Sequence, residues 1–438
     1  MLDARRRILR SLVVGAALGA GSTLPWVARA AAASPALLPA SRGRRCVIVG
    51  GGWGGLAAAR RLRELAPEME VVLLERNTAF WSCPLSNRWL IDRLDGTLLR
   101  HDYAPAASAF GYTFINTEVS AVDREKRQLV TRDGTLGYDW LILSVGIRDN
   151  PAAWFGDDSR AKALTRKRFG SAWQAGEQQA LKDRLARFAG GDLLMNIPLM
   201  PYRCPPAPYE RACMVASLIK RRQLKAKVIL LDPNPMMHGF TRVFRDQYAD
   251  QLSYVPQAQV KTLDVFNQRV TTDFDDLRFD EAILMPPQQA GDLAWQAGLI
   301  GRDAQGRPTG WAAQEANTFR SLEDERIYLV GDMIDRASEL FGFYPKSGQM
   351  AADQGRIAAA QVAAAVSGKP AEPTLPASTC FVVAGADPME MMRIDTDYRI
   401  RGDGLIMQNV NQHYDPQPRD EDVAWAKGMF RDLLAAKV

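Results

Sequence analysis

At 438 residues the chain is too long for a single hydrophobic core, so its length predicts two or three lobes. Hydrophobic residues make up 47% and charged residues 24%, a balance typical of soluble globular proteins. The net charge of +5 is concentrated in residues 1–30, where five arginines stand against one aspartate. The rest of the chain therefore lacks the concentrated basic face that nucleic-acid binding requires, and we expect no nucleic-acid partner.

Residues 1–30 have the features of an export signal. The run Arg5-Arg6-Arg7-Ile8-Leu9-Arg10 precedes an apolar stretch from Leu12 to Trp26, and Ala28-Arg29-Ala30 offers small residues for cleavage. The paired arginines resemble a twin-arginine signal, so we expect a periplasmic protein exported by that route. The alternative is a membrane anchor, but the run is shorter than the roughly 20 residues that a span requires. After cleavage we expect no integral membrane segment.

The first folded segment predicts a dinucleotide-binding unit. Residues 45–50 form a short apolar strand, Gly50, Gly52 and Gly55 give a G-x-G-x-x-G turn, and a helix follows. A second strand ends on Glu75, twenty residues after the last glycine. In such units the glycines allow a tight turn, close approach of a pyrophosphate and close helix packing, while the acid binds a ribose. A glycine-rich turn without a ligand is the alternative.

Two later strands indicate that the cofactor is FAD. Residues 138–146 resemble the strand that returns to the FAD domain in flavoproteins with two dinucleotide-binding domains. Residues 326–332 form another strand that ends in Gly331-Asp332, where the relatives of that class bind the ribityl chain of FAD with the aspartate. Because the three motifs stand in that order, FAD is favoured over NAD at the first site.

The second lobe repeats the strand–turn–helix pattern without its phosphate loop. Residues 192–198 and 227–231 are predicted strands, and the turn after the first of them contains four prolines and Cys204 but no glycine. Prolines lack the N–H donors that a pyrophosphate needs and cannot adopt the glycine conformations. We therefore expect no NAD(P)H site here, and the electrons must have another source or destination.

The cysteine turn resembles a known family. The segment Arg203-Cys204-Pro205-Pro206-Ala207-Pro208-Tyr209-Glu210-Arg211 is similar to one in the flavoprotein subunit of flavocytochrome c sulfide dehydrogenase, a family related to sulfide:quinone reductases. The likeness extends over the mature chain, in residues 82–87, 173–177, 286–290, 345–347 and 378–381.

The resemblance implies the site chemistry. In that family the cysteines matching Cys204 and Cys380 form a redox-active disulfide beside the flavin, and the one matching Cys83 bonds covalently to the flavin. The glutamate matching Glu210 is a proton acceptor near the disulfide. A disulfide is an electrophile that HS⁻ can attack. A disulfide that merely staples the C-terminal segment is the alternative.

Further residues complete the predicted site. Ser347 is a good N-cap for the alanine-rich helix that follows, and that N-terminus, with Lys346, would stabilise a negative charge on the reduced flavin. Cys46 and Cys213 are expected to be packing residues, and the three histidines lack metal-ligand spacing, so no metal is predicted.

The electron acceptor must lie on another molecule. The chain contains no Cys-x-x-Cys-His, so any haem belongs to a partner subunit. The predicted function is oxidation of sulfide, or a related small sulfur compound, with transfer to a cytochrome c subunit or another c-type cytochrome. A quinone-linked enzyme and a flavin-bearing accessory protein for a sulfur carrier are the alternatives.

The predicted fold class is α/β, with two Rossmann-like lobes and a C-terminal α+β interface segment. The predicted domains are a signal peptide at 1–30, an FAD-binding domain at 43–150 and 290–370, a second lobe at 151–289, and a C-terminal domain at 371–438.

Overall fold

A computed structural model of the chain describes residues 35–173, 177–372 and 374–438. The predicted signal peptide lies outside the described residues, as do Gln174, Ala175 and Gly176 of one family-like segment. Within the described residues, no helix is long and apolar enough to cross a membrane.

The first sheet contains five parallel strands; nearly all side chains of four strands are buried, whereas the edge strand Thr113–Asn116 is partly exposed. Across the sheet the strands are Ile327–Leu329, Trp140–Leu143, Arg45–Val49, Glu70–Glu75 and Thr113–Asn116. Apolar runs without alternation suit strands that are covered on both faces. The sheet thus joins the glycine-turn segment to the later strand that precedes Gly331.

Two helices cover this sheet at close range. The glycine-turn helix, Trp53–Leu65, packs against the alanine-rich helix, Gly348–Ser367. A Cβ on Gly355 would lie 2.1 Å from the carbonyl oxygen of Gly54, so the two backbones approach too closely for a side chain there. Small residues on both helices make this contact possible.

The second sheet has four parallel strands, in the order Leu252–Pro256, Ala226–Asp232, Gly191–Asn196 and Glu281–Ile283. The cysteine helix, Ala207–Arg221, follows the strand Gly191–Asn196 and is buried along most of its length. This is the strand–turn–helix order of the first sheet. The two sheets lie within the stretches predicted as two lobes, and the domain boundaries themselves stay predictions.

Antiparallel strands connect and extend the sheets. The chain passes between the two lobes at Ile147–Asp149 and Gln288–Ala290, which pair with each other. The smaller sheets pair Ala79–Trp81 with Arg100–Asp102, Ile300–Arg302 with Pro308–Ala312, Val119–Asp123 with Gln128–Thr131 and Gly134–Gly137, and Thr262–Asp264 with Arg269–Thr271 and Asp276–Arg278.

The remaining helices are short. They are Ser86–Leu90, Ala104–Phe110, Ala152–Phe155, Ser159–Leu164, Gln178–Arg187, His238–Gln247 and Asp292–Gln296, with a 3₁₀ turn at Gly96–Leu99 and a π turn at Thr165–Phe169.

The C-terminal segment packs against both sheets. It contains the antiparallel strands Ser378–Ala386, Met389–Ile400 and Ile406–Asp415, followed by the C-terminal helix, Glu421–Leu434. Phe430 and Leu433 of the helix belong to the core around the first sheet, whereas Val382 and Val383 belong to the core around the second. This segment therefore carries Cys380 to a position between the two cores, and the predicted α/β class with a C-terminal α+β segment is confirmed.

Candidate active site

One cavity of about 1120 Å³ collects most of the predicted site residues. Its volume exceeds the roughly 300–1,000 Å³ of common ligand pockets. The predicted residues that line it are Gly50, Gly52, Glu75, Cys83, Cys204, Glu210, Gly331, Asp332, Lys346 and Cys380. Gly55 is the one predicted residue outside the lining. Residues that are far apart in the sequence therefore converge on one space.

The three glycines of the glycine turn are each needed for a different structural reason. Gly50 has a φ of +102°, and a Cβ there would lie 2.3 Å from the carbonyl oxygen of Ser144. A Cβ on Gly55 would lie 1.9 Å from the carbonyl oxygen of Gly50, so Gly55 serves helix packing. A Cβ on Gly52 would meet no protein atom within 4 Å, so that side of the turn opens into the cavity.

The glycine-turn helix begins beside this open space. Its N-cap is Gly52, and no side chain caps its first N–H groups. The uncapped N–H groups and the positive end of the helix dipole suit a phosphate. A roomy cavity, an open glycine and an uncapped helix therefore fit the pyrophosphate of the predicted FAD.

Glu75 lies at the end of its strand, as predicted. Its carboxylate accepts hydrogen bonds from the backbone N–H of Gly51 at 2.7 Å and from the backbone and side chain of Asn77 at 2.7 and 2.6 Å. Because a carboxylate can accept about four hydrogen bonds, these contacts fix its direction and leave capacity for a ribose.

The Gly331-Asp332 motif is held by an arginine that sequence reasoning missed. The Nε of Arg203 lies 2.7 Å from an oxygen of Asp332, and its Nη1 donates to the carbonyl of Trp173 at 3.0 Å. Burial works against the charge of Arg203, but Asp332 and its neighbours raise the pKa of the guanidinium. Its position directly before Cys204 is the signal that could have identified Arg203.

The start of the alanine-rich helix contains two residues of the predicted site, Lys346 and Ser347. Ser347 is its N-cap, as predicted, but its buried hydroxyl makes no capping hydrogen bond. Lys346 lines the cavity, and its ammonium donates to the carbonyls of Asp332 and Ile334 at 2.8 and 2.9 Å, so its predicted action on a reduced flavin stays a prediction. Burial lowers the pKa of Lys346 to about 7.

Cys204 has a constrained backbone just before the N-terminus of the cysteine helix. Its φ is +51°, which is uncommon for a residue other than glycine. Its backbone N–H donates to the carbonyl of Lys346 at 2.7 Å, and its own carbonyl accepts from Ala207 at 2.8 Å. Strained residues of this kind occur often at functional sites. The turn is thus tied to the segment that precedes the alanine-rich helix of the first lobe.

The cavity contains three thiols. Cys83, Cys204 and Cys380 all line it, and none is bonded to another sulfur in the structure, so the predicted pairing of Cys204 with Cys380 stays a prediction. Burial, together with the charge of Cys380, raises the pKa of Cys204 well above its usual value, and burial raises that of Cys380 to about 11. As thiols the two sulfurs are therefore protonated at neutral pH. Cys46 and Cys213 are fully buried outside the cavity lining, as expected for packing residues.

Glu210 lies in the first turn of the cysteine helix and lines the same cavity. Its carboxylate accepts from the backbone N–H of Val383 at 2.9 Å and from the side chain of Asn87 at 2.6 Å. Burial raises the pKa of Glu210 to about 7, while these two hydrogen bonds act in the opposite direction. A carboxyl group with this pKa can accept or release a proton near neutral pH.

Asp149 is a second perturbed acid that sequence reasoning missed. It lines the cavity, and burial raises its pKa to about 6, with Arg203 opposing the shift. One of its carboxylate oxygens is buried without a hydrogen-bond partner. Its place on the strand between the two lobes carries no motif that could have identified it.

Asp232, at the end of the equivalent strand in the second lobe, is inaccessible to a ligand. Asp232 is fully buried and accepts hydrogen bonds from the hydroxyls of Tyr209 and Tyr254 and from Asn234. It lies outside the cavity lining. Tyrosines therefore occupy the contacts that a ribose would make, in a lobe whose turn also lacks glycine.

In comparisons with known proteins, two protein-family models match parts of this chain. A model described as "Sulfide dehydrogenase [flavocytochrome c] flavoprotein chain, central" matches residues 178–286. A model of the pyridine nucleotide-disulphide oxidoreductases matches residues 44–187. The first match contains the proline-rich cysteine turn, and the second contains the glycine turn.

Individual relatives agree with the family models. The flavoprotein chain of sulfide dehydrogenase (flavocytochrome c) from Chlorobaculum thiosulfatiphilum is 52% identical over 44 residues, which cover 10% of this chain and 92% of that relative. The sulfide-quinone reductase of Aquifex aeolicus is 22% identical over 303 residues, 66% of this chain and 68% of that one.

Solved structures share the fold. The sulfide:quinone oxidoreductase of Aquifex aeolicus has a TM-score of 0.72 at 17% identity, over 90% of this chain and 93% of that one. The covalent putidaredoxin reductase–putidaredoxin complex has a TM-score of 0.61 at 18% identity, over 90% and 94%. Taken together with the family models and the relatives, the fold and the convergence of the predicted residues show that this chain is an oxidoreductase that belongs to the flavoprotein-chain family of flavocytochrome c sulfide dehydrogenase.

Proposed function

We propose that the protein is a periplasmic, FAD-dependent enzyme that oxidises sulfide, or a related small sulfur compound, through Cys204 and Cys380. The observation that carries the proposal is the convergence of both sulfurs, Glu210 and the open glycine turn on one cavity. A turn built for a pyrophosphate and a pair of cysteines have no common structural reason to meet. Their meeting is expected when electrons must pass from sulfur to a flavin.

The sulfur step requires the two cysteines in their oxidised, disulfide form. Attack by HS⁻ on one cysteine sulfur breaks the disulfide and forms a new S–S bond, which leaves a persulfide on that cysteine and a thiolate on the other. The proton of HS⁻ must then leave. Because Glu210 is buried in the same cavity with a pKa of about 7, it is placed to accept that proton.

FAD, when bound, would accept the electron pair that is released when the thiolate bonds to the outer sulfur of the persulfide, which leaves the added sulfur as a trisulfide bridge between the two cysteines. The residues that would hold FAD are the glycine turn for the pyrophosphate, Glu75 for a ribose and Asp332 for the ribityl chain. Arg203 holds Asp332 in place, and Lys346 fixes the backbone around it. The protein thus positions the group through the first lobe and the sulfurs through the second and the C-terminal segment.

A covalent link between Cys83 and the flavin is part of the proposal. Cys83 lines the cavity two residues after the strand Ala79–Trp81, which also borders it, and the glycine turn and Asp332 line the same cavity. The test is acid denaturation of the purified holoprotein. Yellow colour retained by the chain and mapped by mass to the Cys83 peptide supports the link. Complete release of FAD would overturn this part and leave the sulfur chemistry unaffected.

The electron acceptor is proposed to be a c-type cytochrome, on a partner subunit or as a separate protein. The 52% identity to the flavoprotein chain from Chlorobaculum thiosulfatiphilum supports this choice. The similarity to the sulfide-quinone reductase of Aquifex aeolicus favours a second candidate, a quinone-linked enzyme. Periplasmic export rests on the N-terminal motif, and fractionation of cells that carry a lysine replacement of the paired arginines tests it.

The deciding experiment measures sulfide-dependent turnover with the two acceptor classes. The purified holoprotein is mixed with sulfide and with either a c-type cytochrome or a soluble quinone under anaerobic conditions. Reduction of the cytochrome, lost in Cys380→Ser and kept in Cys213→Ser, supports the proposal. Turnover with quinone alone would select the quinone-linked enzyme. A flavin that sulfide never reduces would contradict both and favour an accessory role.

A further inference from the structure

Asn87 is a buried polar residue to which the proposed sulfur step and the cofactor site assign no role. It lies on the short helix Ser86–Leu90, four residues after Cys83, and its side chain faces the cavity. Its Nδ2 donates to a carboxylate oxygen of Glu210 at 2.6 Å and to the carbonyl of Ala207 at 3.4 Å. Asn87 is therefore in direct contact with the proposed proton acceptor.

The other end of the Asn87 amide contacts a buried cation. The Nε of Arg211 donates to the Oδ1 of Asn87 at 3.0 Å. The guanidinium of Arg211 also donates to the carbonyl of Ser171 and lies 4.0 Å from the ring centre of Trp173. These contacts hold Arg211 in one position. Arg211, Asn87 and Glu210 thus form a continuous chain of side-chain hydrogen bonds.

We propose that Asn87 is a positioning residue that holds Glu210 as a carboxylate directed at the sulfur pair, and that Arg211 fixes the direction of the Asn87 amide. The first half of this inference rests on the proposed role of Glu210. The physical basis is the asymmetry of the amide, which has donors on nitrogen and acceptors on oxygen. Because the Arg211 Nε–H can only donate, the oxygen must face Arg211 and the nitrogen must face Glu210.

The orientation has an electrostatic consequence for Glu210. A donor aimed at a carboxylate stabilises its charged form and lowers its pKa. The backbone N–H of Val383 is the second donor, and Arg211 acts in the same direction through its charge. Burial acts in the opposite direction and raises the pKa of Glu210 to about 7. Asn87 is thus one of the few groups that keep the acid from being protonated throughout the neutral range.

Other titratable groups face Glu210 from the elements packed around it. Asp422 of the C-terminal helix opposes the charge on Glu210, although Asp422 itself is paired with Arg88 at 2.9 Å. The thiols whose ionisation Glu210 in turn disfavours are Cys204, Cys213 and Cys380. Since these thiols are uncharged near neutral pH, the loss of Asn87 leaves Asp422 as the main negative neighbour. With the Asn87 donor gone and the charge of Asp422 still present, the protonated form of Glu210 is favoured.

The experiment follows the protonation of Glu210 itself. Infrared difference spectra of the holoprotein are recorded against pH, and the Glu210 band is identified by its disappearance in Glu210→Gln. Asn87→Leu removes the donor at nearly the same volume, so the midpoint of the Glu210 band should move upward by about one pH unit or more. The pH dependence of sulfide-driven flavin reduction should move with it.

The matched control is Asn196→Leu. Asn196 is also a buried asparagine, and it makes two hydrogen bonds of 2.9 Å to the backbone of Met285. Its loss costs a similar number of hydrogen bonds without touching Glu210, so the Glu210 midpoint should stay unchanged. Equal shifts in both variants would overturn the inference, because they would show a general effect of altered packing.

A second variant protects the test against a folding failure. Asn87→Ser keeps a small polar side chain that is too short to bridge Arg211 and Glu210, and it should shift the midpoint in the same direction. A stably folded Asn87 variant with an unchanged midpoint contradicts the inference. The proposed function fails separately, if Glu210→Gln keeps full sulfide-dependent flavin reduction while the infrared shift is still observed.

Discussion

The two parallel sheets each carry a strand, a turn and a helix in the same order, and the two turns differ in every property that matters for phosphate binding. In the first lobe Gly52 opens into the cavity and no side chain caps the helix that follows. In the second lobe the helix begins at Ala207 with a proline in its first turn and the acid Glu210 beside its N-terminus. The first turn can therefore accept a bound anion, whereas the second turn places the acidic side chain of Glu210 at the same position.

The acids at the ends of the next strands differ in the same way. Glu75 lines the cavity and keeps capacity for a ribose, whereas Asp232 is fully buried beneath Tyr209 and Tyr254. One of these tyrosines comes from the turn-and-helix segment that carries Cys204. The two lobes therefore share the strand–turn–helix order but differ in what their turns and strand-end acids leave open to the cavity.

The largest effect is expected at the cysteine turn. Cys204→Ser should lower sulfide-dependent flavin reduction by at least about 10³-fold, because the attacked disulfide cannot form. Bound FAD should remain, since Cys204 is outside the glycine turn. Anaerobic stopped-flow absorbance measures the rate, and Cys213→Ser, at a buried cysteine outside the cavity lining, is the control. Loss of FAD together with activity would remove the contrast between the two turns.

A smaller effect is expected at the acid of the second turn. Glu210 accepts a proton only as a carboxylate, and burial raises its pKa to about 7, so the rate should rise as the pH passes through that value. Glu210→Gln should lower the rate by about 10²-fold at pH 8 and remove this rise. The variant keeps the pH dependence that sulfide itself contributes, so the difference between the two profiles isolates Glu210. Parallel profiles would contradict its role.

Changes in the glycine turn of the first lobe should lower the affinity for FAD, whereas changes in the second turn lower the rate of flavin reduction. Gly52→Val places a side chain in the cavity without touching the protein, so the fold should survive while FAD affinity falls about tenfold or more. Gly402→Val is the control, because a side chain there also meets no neighbouring atom but is exposed and away from the cavity. Fluorescence titration of the FAD-free protein measures the affinity, with both variants made in a Cys83→Ser background so that binding stays reversible. Unchanged affinity in Gly52→Val would place the pyrophosphate elsewhere.

The smallest effect on sulfide-dependent flavin reduction is expected at the buried acid Asp232. Asp232→Asn should lower the free energy of unfolding by about 1–3 kcal/mol, because it weakens several charge-assisted hydrogen bonds. Sulfide-dependent flavin reduction of the folded variant should be unchanged. Urea unfolding measures the first quantity and stopped-flow absorbance the second. By contrast, Glu75→Gln weakens the hydrogen bonds of Glu75 to Gly51 and Asn77 and should also lower the affinity for FAD.

Local patterns predicted the parts of the site that local structure determines. The glycine turn, its strand and helix, and the glycine-free second turn are encoded within a few residues each, and the structure has them where they were expected. The approach of Cys380 to Cys204 came from the family resemblance, since 175 residues separate them and no spacing rule connects them.

Side-chain direction was the part that could not be predicted. Lys346 stands in the expected segment, but its ammonium bonds to backbone carbonyls because they are its nearest acceptors in a buried site. Arg203, Asn87 and Asp149 matter through contacts with distant residues, and single residues without a motif give no sequence signal for such contacts.

The most direct test of the central claim follows the sulfur atom. The oxidised holoprotein is exposed to one equivalent of sulfide without an electron acceptor, blocked with an alkylating reagent, digested and analysed by mass spectrometry. The account predicts one added sulfur at the cysteine pair: a persulfide on Cys204 or Cys380 while the flavin is still oxidised, and a trisulfide that joins the two peptides once the flavin is reduced. Reduced flavin with both cysteines unmodified, and with the same yield in Cys204→Ser, would contradict it.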